Sequence, residues 1–90
     1  MPETQTEHVS AKVHLGRVIR RIRKDHRLNQ NELANRMGIP RDTLGRFERG
    51  DRVPRPTEWV QLHTALQPTH SEHLELHEHI LTVLIGTPAV

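Results

Sequence analysis

Apolar positions return along this chain with the period of an α-helix, in five blocks separated by polar or glycine- and proline-bearing breaks. In the first block Leu15, Val18, Ile19, Ile22 and His26 fall in one narrow sector, with Arg17, Arg20, Arg21, Lys24 and Arg27 on the other side. Ser10 stands where an N-cap is needed, and the polar residues before it show no periodicity. A second block opens at Asn29-Gln30-Asn31-Glu32, the pattern of a capping box, carries Leu33, Ala34 and Met37, and closes at Gly38. Pro40 then introduces a third helix, Arg41 to Arg49, which stops at Gly50. Asp51 to Pro56 holds two prolines and reads as a loop. Thr57 is placed to cap a fourth helix reaching Leu66, with Trp59, Val60, Leu62, Ala65 and Leu66 as its apolar positions. Thr69-His70-Ser71-Glu72 offers a second capping box for a last helix ending near Gly86. The run Ile80 to Ile85 is apolar on all sides and β-branched, so a short strand there remains an alternative.

The second and third blocks, two short helices joined through Gly38, have the layout of a helix-turn-helix. Side-chain directions sharpen that reading. On the second of the two helices Leu44 and Phe47 share one side, while Arg41, Asp42, Gly45 and Arg46 lie opposite. Such a helix hides its apolar side and offers the other to a polar target.

Composition narrows the classes further. Ninety residues make one small domain, and with 33% apolar residues and two aromatics its core is small enough that a partner subunit is expected. The absence of cysteine excludes a disulfide framework, a zinc finger and a thiol nucleophile. No apolar run is long enough to span a bilayer and Met1 to Ser10 lacks the apolar core of a signal peptide, so a soluble cytoplasmic protein without membrane contact is expected. The net charge of +2 conceals a sharp division. Residues 12–55 hold all 13 Lys and Arg and five acids, a net of +8, whereas residues 56–90 hold four acids and no Lys or Arg. A segment this basic points to an anionic partner, nucleic acid above all, although a solvated basic face is the plainer alternative. No nucleophile with an adjacent base and no phosphate loop is present, so an enzyme is not expected, nor any cofactor.

From Leu15 to Leu66 the chain resembles the DNA-binding domain of the Cro and phage-repressor type of helix-turn-helix proteins, the XRE or lambda-repressor-like family. The likeness rests on Leu28-Asn29-Gln30-Asn31-Glu32-Leu33-Ala34-Asn35-Arg36-Met37-Gly38-Ile39, on Phe47-Glu48-Arg49-Gly50 and on Leu62-x-x-Ala65-Leu66. It implies an all-α domain of four to five helices, binding of double-stranded DNA as a homodimer, and transcriptional repression. Carried over by position, it makes Arg41 to Glu48 the recognition helix, with Arg41, Asp42 and Arg46 where base edges are read and Thr43 where a phosphate or base is reached. Arginine can donate twice to guanine and aspartate can accept from cytosine, so half-sites with G·C pairs follow. A surface ion pair between Asp42 and Arg46 is the competing reading. Gln30 matches the residue that grips a phosphate at a helix start, the alternative being a plain exposed first-turn side chain. Arg49, Arg52 and Arg55, beyond the recognition helix, are expected on phosphates. Arg23 and Glu48 match an interior ion pair of the family and are assigned to structure. Two positions depart from the pattern: Pro40 replaces a capping Ser or Thr, and Gly45 sits inside the recognition helix.

The chain thus divides into an arm (1–11), a helix-turn-helix domain (12–67) and a C-terminal segment (68–90). In that segment Leu74, Leu81, Leu84 and Ile85, with Leu76, Ile80 and Val83, exceed what one short helix can bury, and a symmetric dimer would cover them. Packing within the same chain is the rival, as is a second protein bound there by an antitoxin- or restriction-controller-type autoregulator. A protein-interaction adaptor on the same fold would not bind DNA at all. His73 and His77, one turn apart, have chelating spacing, but two histidines make an incomplete site, so no metal is expected; a solvated face or a pH response fits them as well.

Overall fold

The computed structural model describes residues 10–86, which form five helices: α1 (Ala11–Asp25), α2 (Gln30–Met37), α3 (Arg41–Arg49), α4 (Pro56–Leu66) and α5 (His70–Ile85). No strand occurs among the described residues. The arm expected over residues 1–11 falls outside the described residues as far as 9; Ser10 is the N-cap of α1, its side chain accepting from the Val13 amide, and Ala11 is the first residue of that helix.

Each boundary has a local cause. The Asn29–Glu32 capping box closes in both directions, with distances of 2.8 and 2.9 Å, and so does that of Thr69 and Glu72. Gly38 and Gly50 end α2 and α3 in the left-handed region, at φ 73° and 81°. Pro40 is the N-cap of α3 and supplies no side-chain hydrogen bond. The start of α4 differs from expectation. Arg55, not Thr57, is the N-cap, because Pro56 lacks an amide hydrogen and fits the first helical position, and the Glu58 carboxylate accepts the Arg55 amide at 2.9 Å.

One core runs through all five helices. Leu15, Val18, Ile19 and Ile22 of α1 meet Leu44 and Phe47 of α3 and Leu76 and Ile80 of α5; Leu33, Ala34 and Met37 of α2 complete it with Leu62, Ala65 and Leu66 of α4. Helix α1 is the axle: it packs on α3 along one side and on α5 along another, while α2 bridges α3 and α4. Contact with α3 is backbone-close, since a Cβ at Gly16 would lie under 3.0 Å from the carbonyls of Phe47 and Glu48.

One expectation about apolar residues is corrected, and the alternative of a strand near the end of the chain is excluded. Val60 is exposed, because at 100° per residue it points away from Leu62 on the opposite side of α4. Residues 80–85 continue α5 rather than forming a strand: Ile80 reaches the core one turn after Leu76, and an isolated strand would leave its backbone groups without partners. The C-terminal apolar set therefore splits. Leu76 and Ile80 are buried in this chain's own core, whereas Leu74, Leu81, Leu84 and Ile85 are exposed, the last two at 69% and 76%.

Candidate nucleic-acid interface

The helix-turn-helix is α2, the Gly38 turn and α3. Leu44 and Phe47 are sealed in the core, which fixes the rotation of α3 and turns Arg41, Asp42 and Arg46 outward to solvent. Thr43 is half-buried at the edge of that face. Neither Asp42 nor Arg46 takes part in any ion pair among the described residues. Asp42 instead lies in the first turn of α3, where a negative charge complements the helix dipole. Gly45 does not form an open patch of backbone: it is buried beneath Arg49, whose guanidinium would be 3.2 Å from a Cβ placed there.

Behind this face lies a chain of polar contacts whose orientation is dictated by chemistry. Arg23 and Glu48, 6% and 7% exposed, meet in a two-pronged ion pair, Nε to Oε2 at 2.6 Å and Nη2 to Oε1 at 3.1 Å. The third arm of Arg23 donates to the Leu28 carbonyl at 2.7 Å and so pins the turn between α1 and α2. Glu48 Oε1 also accepts from Gln30 Nε2 at 2.9 Å, and Gln30 Oε1 in turn accepts from Arg41 Nε at 3.4 Å. A carboxylate only accepts and a guanidinium only donates, so the Gln30 amide has one workable orientation. The outward arginine at the start of α3 is thereby linked to the interior ion pair through one glutamine.

Gln30, Arg41 and Arg49 line two adjoining depressions of about 340 and 390 Å³. Arg20 and Arg23 contribute to the first, Asp42 and Gly45 to the second. The basic residues at the end of α3 and beyond it differ in availability. Arg49 makes an exposed pair with Asp51 at 3.1 Å. Arg52 is tied to Glu58 at 2.8 Å and lies 5.5 Å from the Phe47 ring centroid, so its charge is already half spent on the fold. Arg55 is exposed at the N-cap of α4.

Three arrangements are not singled out by the sequence, apart from the His73 and His77 spacing within the third. Arg20 joins the recognition side, although only its place on the polar side of α1 marks it. Arg21 and Glu75 form a bidentate pair between α1 and α5, and His26 Nε2 meets Glu72 Oε1 at 2.8 Å beside it. The Arg21 hydrogen bonds hold the Glu75 carboxyl below its ordinary range against some opposition from burial. Burial pushes Glu72 up, but hydrogen bonds from His26 and the Thr69 amide outweigh it and leave that carboxyl lowered too. The third is a row of rings at the α4–α5 junction. Trp59, His63, His73 and His77 follow one another with centroid separations of 4.7, 5.0 and 6.1 Å. His63 Nδ1 donates to the Trp59 carbonyl at 2.9 Å, leaving its buried Nε2 without a partner. Among the described residues no group of three or more His, Asp or Glu is placed to hold a metal ion.

An all-helical domain whose helix-turn-helix presents a cationic outer face defines a DNA-binding class of protein. The family model of the helix-turn-helix domain matches residues 14–76, and the chain belongs to that family. Searches of curated proteins and of solved structures each returned no match. No described helix is long and apolar enough to cross a membrane.

Proposed function

We propose that this protein is a sequence-specific transcriptional regulator of the Cro and repressor type, which represses by binding a pseudo-palindromic operator in double-stranded DNA as a homodimer. The observation that carries the reading is the division of α3: Leu44, Phe47 and Glu48 are committed to the interior, and Arg41, Asp42 and Arg46 are left uncovered on the opposite side. In the major groove Arg41 and Arg46 donate to O6 and N7 of guanine, and Asp42 accepts from N4 of cytosine, each good contact contributing roughly 1–3 kcal/mol of discrimination. Thr43 stands at the margin for a phosphate or base. Gln30, Arg49 and Arg55 take phosphates, with Arg52 a weaker contributor because Glu58 competes for it.

The dimer forms through α5. Leu74, Leu81, Leu84 and Ile85 lie exposed on it, and Leu81 and Leu84 wall an apolar groove of about 240 Å³ that continues to Pro54, Pro56 and Trp59. No Lys or Arg occurs after residue 55, so α5 brings no lysine or arginine charge to this surface. Two recognition helices so joined read half-sites about one helical turn apart.

Selection of bound duplexes from a random pool tests the proposal. The expected product is a two-fold repeat with G·C pairs in each half and affinity that falls steeply as salt rises. Failure to enrich any duplex, or binding indifferent to salt, would refute it in favour of a protein-interaction adaptor. An equilibrium mass that stays monomeric on the operator would remove the dimer alone.

A further inference from the structure

Apart from Lys12 in its first turn, the Lys and Arg residues of α1 sort into two sets. Arg21 and Arg23 are consumed by Glu75 and Glu48. Arg17, Arg20 and Lys24, with Arg27 in the turn beyond the helix, are exposed and have no carboxylate partner among the described residues. At the helical repeat the first three span a sector of only about 60°. That sector borders the side of α1 that carries Gly16 and Arg23 and packs on α3, and Arg20 shares a depression with Arg41 and Arg49. The stripe is therefore continuous with the recognition face and leads away from it along α1.

Among the described residues no carboxylate pairs with this stripe. The carboxylates nearest α1 on α5 are taken, Glu72 by His26 and Glu75 by Arg21, and Asp25 adds its field to Arg21. Like charges three and four residues apart weaken a helix, so an uncompensated row is a standing cost unless an anion outside the protein relieves it. From Arg17 to Arg27 the stripe is about 15 Å long, the axial length occupied by about four phosphates of one DNA strand.

We propose that this edge of α1 is a second DNA contact, which takes the phosphate backbone of duplex lying outside the half-site read by α3. The inference rests on the DNA-binding reading above. It makes the footprint of each subunit longer than its sequence preference: bases specify only within reach of α3, while flanking DNA of any sequence adds affinity.

The test compares the selected operator as a minimal duplex with the same operator extended by about 10 bp of unrelated sequence on each side, one helical turn. The protein is used as the full chain, in parent form and as the triple variant Arg17→Gln, Lys24→Gln and Arg27→Asn, with Asn chosen because Arg27 has φ 60°. If each subunit engages three flanking phosphates, six per dimer, the salt slope of the parent is steeper by about 5.4 on the long duplex, so that raising salt from 50 to 200 mM costs it about 2,000-fold more affinity there than on the short one. The triple variant melts like the parent, binds the short duplex within about twofold of it, and loses the excess slope. A parent indifferent to flank length overturns the inference, as does a variant equally weakened on both duplexes. Arg41→Ala separates the two readings: if it abolishes discrimination while flanks do nothing, base reading by α3 stands and the stripe is only a solvated face. If no duplex is selected at all, both fall.

Discussion

Glu48→Gln changes one charge at nearly constant volume and isolates the contribution of the interior ion pair. In the parent, Arg23 delivers two hydrogen bonds to the Glu48 carboxylate and a third to the Leu28 carbonyl, and both side chains are more than nine-tenths buried. Without the carboxylate the guanidinium remains buried with neutral acceptors only. Removing one partner of a buried pair costs about 3–5 kcal/mol. A domain of this size has roughly 5–15 kcal/mol in total, and each kcal/mol moves the midpoint by about 4–8 °C, so the melting temperature should fall by at least about 12 °C. Thermal unfolding followed by far-ultraviolet circular dichroism at neutral pH measures it. A variant that melts within about 2 °C of the parent would show that Arg23 is solvated or paired elsewhere, and the account of the α1–α3 lock would be wrong. The double variant Arg23→Met, Glu48→Leu completes the cycle. Replacing a buried pair by apolar residues is often neutral or stabilising, so this protein should melt near or above the parent. It should still read DNA poorly at the base facing Arg41, because Gln30 has lost the acceptor that orients it. Full stability with unchanged specificity would dismiss the link from Glu48 through Gln30 to Arg41.

Gly16→Ala should prevent α1 from seating on α3, since the new methyl meets two backbone carbonyls that cannot yield; a loss of several kcal/mol, up to complete unfolding, is expected in the same assay. Gly45→Ala is the contrasting case: only the flexible end of Arg49 must move, and the better helix former should raise stability by up to about 1 kcal/mol. Glu72 and Glu75 both titrate below the ordinary carboxylate range in the fold, so their stabilising effect is complete above about pH 4.3 and is lost as pH falls through their lowered values. Melting curves from pH 7 downward should therefore show the parent and Glu72→Gln, Glu75→Gln converging in the acid range, and a constant gap would contradict the α1–α5 pairing. Leu84→Asp should leave the monomer's melting nearly unchanged, because Leu84 is exposed, but should abolish any dimer detected by sedimentation.

The helices themselves are legible in the sequence wherever a boundary is set by neighbouring residues. Asn29 and Glu32, or Thr69 and Glu72, sit three positions apart and cap their helices from within one turn, and Gly38 and Gly50 satisfy a backbone need that is equally local. The start of α4 was harder to read because two signals compete there, a capping threonine and a proline one place before it; the fixed φ of Pro56 prevailed. What the pattern does not reveal is partnership across distance. Arg21 and Glu75 are 54 residues apart and His26 and Glu72 are 46 apart, and only tertiary packing of α5 on α1 selects them from many acids and bases. For the same reason Arg52 reads as one more phosphate contact until its pairing with Glu58 is seen. The division of the last helix also depends on packing: periodicity marks Leu76 and Leu74 alike as apolar, and the position of α1 decides that one is core and the other surface.

Arg41 and Arg46, the two arginines of α3 proposed to read bases, are unequal in their freedom to change. Arg46 touches no other side chain through a hydrogen bond among the described residues, so, on the proposed reading, a new residue there should alter which base is preferred and little else. Arg41 is coupled to Gln30, Gln30 to Glu48, and Glu48 to Arg23. A substitution at 41 therefore leaves a dangling glutamine oxygen and asks for a second change at 30 before a new preference becomes sharp. Divergence of operators within a lineage of such proteins should run first through position 46 and reach position 41 only in company, and a library that randomises 41 alone should yield fewer selective readers than one that randomises 30 and 41 together.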